Sequence, residues 1–253
     1  MSLYRQLFLV TRRELVSLLC LPLYYILCGV FFLLASLVYL QQLVVFAQGG
    51  EVTSVNATDS VVVPTFQMLH FFLLIQVPLL TMRVFAEDRG NGMLDLLQTM
   101  PLRDWALLGG KFLATFLGVF LYVALTLVFP ITTAILSTVD WPVVAGSVIA
   151  LMLSSGGYVA IGLLFSAASE SQVAAAVLSY VTLFLLAFGQ AFATASNIVP
   201  LDEAARHFTV TEHINGLLSG NIAPMNVAYF LVLTAAGLFV TARVLESRRW
   251  RAA

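Results

Sequence analysis

Residues Val143 to Phe165 read VVAGSVIALMLSSGGYVAIGLLF, a run without a single Lys, Arg, Asp or Glu and apolar on every face. A strand of a membrane barrel would alternate polar and apolar positions over about ten residues, so this run excludes a β-barrel. It is instead long enough, as a helix, to cross a bilayer core of about 30 Å, which takes about 20 residues. Five further stretches share the pattern: Leu21 to Phe46, Pro64 to Val84, Phe112 to Leu136, Val173 to Phe192 and Asn226 to Leu245. Their interiors also lack Lys, Arg, Asp and Glu, each of which costs roughly 2.5–3.5 kcal/mol at the centre of a span. The expected fold is an all-α integral membrane protein of six transmembrane helices, a single domain over residues 1–253.

Composition agrees. Of 253 residues, 60% are hydrophobic and 10% charged, against about 45–50% and about 25% in a soluble domain. A net charge of −1 excludes a nucleic-acid binder acting through excess basic charge, so membrane lipid is the expected surrounding and nucleic acid is not a partner. With six spans both ends of the chain share a side. Arg5, Arg12, Arg13, Arg83, Arg89, Arg103, Lys111, Arg243, Arg248, Arg249 and Arg251 all fall on that side, leaving Arg206 alone on the other. The positive-inside rule makes the crowded side cytoplasmic, so both termini are expected in the cytoplasm. Glu51, Asp59, Asp140, Asp202, Glu203 and Glu212 fall on the opposite side.

Before the first span, Leu3, Leu7 and Val10 recur at helical spacing while Arg5, Arg12, Arg13 and Glu14 fall largely off that stripe. This predicts a short amphipathic elbow helix along the inner interface. Cys20 and Cys28 are separated by about 12 Å along a helix, too far for a disulfide, and are expected to be buried apolar residues. The run after Arg12-Arg13 is too long for a signal peptide's apolar region and reads as a retained span. Between the fifth and sixth spans, Ile214, Leu217 and Leu218 predict a short helix ended by Gly220 and packed at the outer face. Pro22, Pro78 and Pro130 lie within spans or near their ends, where neighbouring helices re-satisfy the backbone.

The most informative segment is the connection from Met82 to Trp105, expected to be a cytoplasmic loop. Within it Met93, Leu96, Leu97 and Met100 fall at i, i+3, i+4 and i+7, one face of a helix that Pro101 ends and Asn91 caps. A short cytoplasmic helix with an apolar face, held between two spans, suits a membrane domain that receives force from a soluble partner. An interfacial helix that only anchors the loop is the competing reading.

The run RVFAEDRGNGMLDLLQTMPLRDWALLGGKF, residues 83–112, resembles the signature of ABC transporter permeases of the type-2 exporter superfamily, especially the gliding-motility-associated branch. Gly156 to Gly162, with Ser166 and Ser171-Gln172-Val173, is similar to that branch's fourth span and the turn after it. Phe208 to Ile214, with Gly216 and Ser219-Gly220, is similar to its segment before the last span, and Thr11-Arg12-Arg13-Glu14-Leu15 agrees at the start. The resemblance implies that Glu87, Asp88, Arg89, Gly92, Met93, Leu96, Leu97 and Met100 dock on a cytoplasmic ABC ATPase. Met93 and Asp95 stand where the family pattern has Thr and Glu, and Gly90 where a basic residue is usual.

The chain lacks a nucleotide-binding motif of its own. A Walker A loop needs G-x-x-x-x-G-K-[ST] to cradle phosphates, and around Gly110-Lys111 the first Gly is Trp105 and the Ser/Thr is Phe112. ATP is therefore expected to be bound by the partner, and six spans imply a second permease chain as homo- or heterodimer. A membrane-anchored outer-domain protein is a further expected partner, because the outer loops are too short for a recognition domain. We expect no enzyme activity, no cofactor and no metal in this chain. His207, Glu212 and His213 lack a fixed metal-binding spacing. His70 and Gln190, polar groups within spans, are the positions expected on a pathway or interface, against a plain interhelical hydrogen bond. Glu170, in the turn between spans four and five, reads as a helix N-terminal acid or a second ATPase contact. Gly156 with Ala160, and Ala114 with Gly118, read as helix-packing faces.

The expected function is the permease subunit of an ATP-driven exporter in a bacterial inner membrane. A non-transporting scaffold that relays ATPase-driven force to an outer partner is the alternative. A membrane enzyme would need polar groups clustered inside the spans, which this sequence lacks.

Overall fold

The computed structural model describes residues 3–48, 57–90, 104–195, 209–221 and 223–252. Those residues form helices and short connections, with no strand among them. Helix α1 (Leu3–Leu19) turns sharply into α2 (Pro22–Gln48). Proline at the first position of α2 supplies a pre-set φ where no N–H is needed, and it disfavours a helical Leu21 before it. A π-helical turn, Thr58–Val62, runs into α3 (Val63–Gly90). Helices α4 (Asp104–Leu125) and α5 (Val128–Leu136) form one broken crossing. They are followed by α6 (Trp141–Ala168), α7 (Gln172–Ala195), the short α8 (Val210–Leu218) and α9 (Pro224–Ala252).

Six helical runs are long and apolar enough to cross a membrane: Pro22–Gln48, Thr58–Gly90, Trp105–Leu136, Trp141–Ala168, Gln172–Thr194 and Pro224–Ser247. The six expected crossings are present, but their ends differ. The second does not stop at Val84: residues Met82 to Gly90, expected in a loop, continue α3. Hydropathy falls there, yet the charges are accommodated on the helix, since Arg83 and Glu87 form an i,i+4 ion pair with Nε to Oε2 at 2.9 Å. The break in the third crossing has a local cause. Pro130 has no N–H for the carbonyl of Thr126 four residues earlier, and its ring clashes with that carbonyl, so the helix gives way at Thr126 and Leu127.

α6 is the central helix, touching α3, α4, α7, α8 and α9. Small residues set these contacts. A Cβ at Gly162 would lie 2.0 Å from Thr81 Oγ1 on α3, and one at Gly157 would meet Leu233 of α9 at 2.9 Å. Gly237 of α9 approaches Ala160 equally closely, and Gly118 lies against Leu18 and Tyr24. Both stretches of small residues therefore pack helices. Several hydroxyls within the spans bond back to their own helix, as Thr81 to Val77 O at 3.0 Å and Thr115 to Lys111 O at 2.9 Å, so these add no unsatisfied group to the apolar interior.

One expectation is made specific and one needs correction. The expected elbow helix is α1, and its Leu7 and Val10 stripe is covered by protein: it fits over Gly109 and Gly110 of α4, where a Cβ on Gly110 would come within 2.5 Å of Val10 Cγ1. The opposite side of α1 leaves Tyr4, Phe8 and Val16 exposed, beside Arg5, Arg12 and Arg13. Cys20 is exposed at the turn between α1 and α2, and Cys28 is half-buried; both are free thiols. A turn forced by Pro22 leaves no helix to bury Cys20.

The helix expected near Ile214 is α8, with Ile214, Leu217 and Leu218 buried. It ends in a Schellman motif: Gly220 N–H donates to Leu217 O and Asn221 N–H to Gly216 O, each at 3.1 Å. Gly220 has φ +81°, the left-handed conformation this motif requires. The cap sits directly on α6, where a Cβ at Gly146 would lie 3.0 Å from Leu217 O and 3.2 Å from Gly220 Cα.

Candidate functional site

The densest polar structure in the described part of the bundle lies at its basic end, where α3 finishes and α4 begins. Lys111, in the first third of α4, is 1% exposed. Its Nζ donates to Asp88 Oδ2 at 2.6 Å and to Val84 O at 3.0 Å, and forms an ion pair with Glu14 Oε2 at 3.2 Å. An ammonium has three donors, and here two carboxylates and a carbonyl surround it. The Phe85 ring closes one side, with its centroid 5.3 Å from Nζ. One side chain thus joins α1, α3 and α4.

Next to it, Arg89 binds α3 to the end of α6. Nη2 donates to Ala167 O at 2.8 Å and Nη1 donates to Ser169 O. These are the last carbonyls of a helix, which have no partner within it and carry partial negative charge. One turn back, the Ser166 hydroxyl lies against the α3 backbone. It accepts from the N–H groups of Phe85 at 3.0 Å and Ala86 at 3.3 Å, and donates to Met82 O at 3.0 Å. The packing beneath is close enough for this because Gly162, one turn earlier on α6, admits Thr81.

Of the residues singled out from the sequence, Glu87, Asp88 and Arg89 sit together on the last turn of α3 with separate partners: Arg83, Lys111 and α6. Gly92, Met93, Leu96, Leu97 and Met100, with the expected cap Asn91, lie outside the described residues. The two ends of that segment are in place: Gly90 closes α3 and Asp104 opens α4.

His70 is buried where α3 meets α6, its Nε2 2.5 Å from Tyr158 Oη. This is an interhelical hydrogen bond between neutral-capable groups. His70 also contributes, with Asn215 and Thr211, to the wall of a cavity of about 460 Å³ between α3, α7 and α8. Gln190 is half-buried on α7, and its carbonyl accepts from Thr194 Oγ1 at 2.8 Å. Gln76 donates from Nε2 to Leu27 O and ties α3 to α2. His213 stacks on Tyr229 with centroids 4.2 Å apart and its Nδ1 lies 3.0 Å from Asn226 Oδ1. His207 lies outside the described residues. Glu170 is exposed just before α7, whose first turn is capped by Ser171 Oγ accepting from Ala174 N–H at 3.1 Å.

Sequence reasoning used Lys111 only as one of the basic residues of the crowded side and as a failed phosphate-loop lysine. A signal was available, since it is the only charged residue between Trp105 and Leu136, and a lone lysine at the edge of a span needs a partner. Which partners it takes was not encoded locally, as Glu14 is 97 positions away (111 minus 14).

Residues 47–209 match the family described as ABC-2 family transporter protein. The matched region runs from the end of α2 through α7 and includes the whole α3–α4 junction. A comparison with curated proteins finds no match.

Proposed function

The chain belongs to the ABC-2 transporter family, and from that premise we propose that it is the force-receiving permease subunit of an ATP-driven exporter. As a multi-pass permease of that family it is the transmembrane component, with an ABC ATPase as partner and dimerisation as the general rule. In our reading the basic end faces the cytoplasm of a bacterium, both chain termini lie on that side, and the ATPase grips residues 87–100. The order of the resembling segments supports the gliding-motility-associated branch.

The observation that carries this reading is the Lys111 junction. The segment from residue 91 to 103 connects the end of α3 at Gly90 to the start of α4 at Asp104. Just inside those two points, Asp88 and Lys111 are joined to each other and to Glu14 on α1, and Arg89 is joined to α6. In this reading a push delivered to that segment is passed to α1, α3, α4 and α6 through these charged contacts together with the apolar packing of Phe85 and Leu108 around them. Nucleotide-driven closure of two ATPases then shifts the spans between discrete packings, because packed interiors switch rather than bend.

The test is co-purification with the cognate ATPase. Leu96→Asp together with Leu97→Asp removes two apolar anchors, each worth about 1.5–3 kcal/mol when fully buried, so ATPase binding should weaken at least about tenfold. Membrane insertion should stay normal. Unchanged binding would leave the segment as an interfacial anchor and remove the coupling role.

A further inference from the structure

Beside the Lys111 junction, α1, α2, α3 and α4 enclose a half-open cavity of about 240 Å³. Its wall is graded. Along α3 it passes from Leu79 and Leu80 to Arg83 and then to Glu87 and Asp88, a climb of about 12 Å at 1.5 Å per residue. Leu21 and Tyr24 continue the apolar part, and Glu14 and Ser17 of α1 continue the polar part. An aqueous pocket has no need of the apolar floor, and an acyl-chain groove has no need of three carboxylates. The gradient is that of a lipid entering headgroup-last at a membrane interface.

The charges select the headgroup. Glu14, Glu87 and Asp88 stand against Arg83 in the wall and Lys111 behind it, so three negative charges meet two positive ones. An anionic headgroup is disfavoured by the surplus carboxylate. The rim pair is accessible, with Arg83 24% and Glu87 39% exposed, and Arg83 holds Glu87 through two bonds of 2.9 and 3.1 Å. A zwitterion laid antiparallel on this pair puts its phosphate on Arg83 and its ammonium on Glu87 and Asp88, both as charge-assisted hydrogen bonds. An ethanolamine ammonium donates such bonds; a choline, with no N–H, does not. The volume equals about eight waters at about 30 Å³ each, room for a headgroup and glycerol while the chains run out beside the exposed Tyr25 and Ile26 of α2.

We infer that this cavity is a binding site for an ethanolamine phospholipid of the leaflet at the basic end, seated between the elbow helix and the ends of the second and third crossings. The site shares Glu87 and Asp88 with the segment proposed to meet the ATPase, but lipid binding is read on the permease alone and ATPase binding on Leu96 and Leu97, so the failure of either reading is distinguishable from the failure of the other.

The experiment uses the full-length protein, purified in detergent, delipidated and titrated with phosphatidylethanolamine, phosphatidylcholine or phosphatidylglycerol of identical chains, with adducts measured by native mass spectrometry. Phosphatidylethanolamine should bind about tenfold more tightly than either competitor, the scale of one to two charge-assisted hydrogen bonds. Ser17→Trp, which fills the cavity from an exposed position, should abolish that preference. So should the exchange Arg83→Glu with Glu87→Arg, which keeps an ion pair on α3 but reverses its direction. Equal binding of the three lipids, preference for phosphatidylglycerol, or a preference that survives either change would overturn the assignment. If one variant does not fold, the other variant and the comparison on the unmodified protein decide.

Discussion

At the basic end, α1, α3, α4 and α6 meet through charged groups: Lys111 between Asp88 and Glu14, and Arg89 on the last carbonyls of α6. At the acidic end, α8 meets α6 through backbone and missing side chains, with the Gly220 cap lying on Gly146 and Ser147 Oγ donating to Leu218 O at 3.1 Å. The contrast teaches what each end can tolerate. Ionic contacts made by long side chains keep part of their energy over an ångström of movement, because Coulomb attraction falls slowly with distance. A glycine contact at 3 Å has no such latitude, since overlap is penalised steeply. The basic end combines charged contacts of this latitude with close glycine contacts at Gly109 and Gly110, whereas the α8–α6 contact at the acidic end rests on the close contacts and one hydroxyl.

The strongest way to break this contrast is Lys111→Met. It leaves Asp88 and Glu14 facing one another without their shared cation, and removing one member of a buried charge cluster costs about 3–5 kcal/mol. Thermal unfolding in a fixed detergent should show the largest loss of any change named here, and Lys111→Arg should recover part of it. A loss no greater than that of a surface change would mean that the junction does not hold the helices. Next comes Gly162→Ala, whose new methyl meets Thr81 Oγ1 at 2.0 Å; overpacking of this kind costs about 1–3 kcal/mol. Thr81→Gly in the same chain should restore most of the stability if the clash is the cause.

Gly220→Ala tests the acidic end. A side chain at φ +81° costs roughly 1–2 kcal/mol, and the effect should appear as faster hydrogen exchange in α8 with little change in α1. The smallest effect is expected for the Arg83 and Glu87 pair. A double-mutant cycle with Arg83→Gln and Glu87→Gln should give a coupling below about 1 kcal/mol, as for other exposed i,i+4 pairs. A larger coupling would extend the ionic junction outward to the rim of the cavity.

The order and number of crossings were legible because each is a long uncharged run, such as Val143 to Phe165. The end of α8 was legible because a glycine after a buried Leu217-Leu218 pair marks a left-handed cap. The extension of α3 past Val84 was not, since hydropathy registers Arg83, Glu87, Asp88 and Arg89 as polar without registering that each has a partner on a helix surface. The elbow's amphipathic stripe was visible, but whether lipid or protein covers such a stripe depends on what lies opposite. Here the answer was Gly109 and Gly110 of α4, two small residues whose use becomes apparent only when the third crossing is set beside the first helix.

The joint at Thr126 and Leu127 divides the labour of the third crossing. Below it, α4 is fastened to α1 through Lys111 and the two glycines, and to α2 where Tyr24 Oη donates to Gly118 O at 2.9 Å and Tyr24 stacks on Tyr122. Above it, α5 is fastened to α2, where Tyr39 Oη lies 3.1 Å from Thr133 Oγ1 and accepts from Thr132 Oγ1 at 2.9 Å, and where Phe129 stacks on Phe32 and Tyr39. At the joint the backbone bonds tighten from i→i−4 to i→i−3, with Thr126 N–H on Val123 O and Phe129 N–H on Thr126 O, each at 3.1 Å. Both halves of the third crossing lean on the first, and the angle between them is set by these few tightened bonds around Pro130.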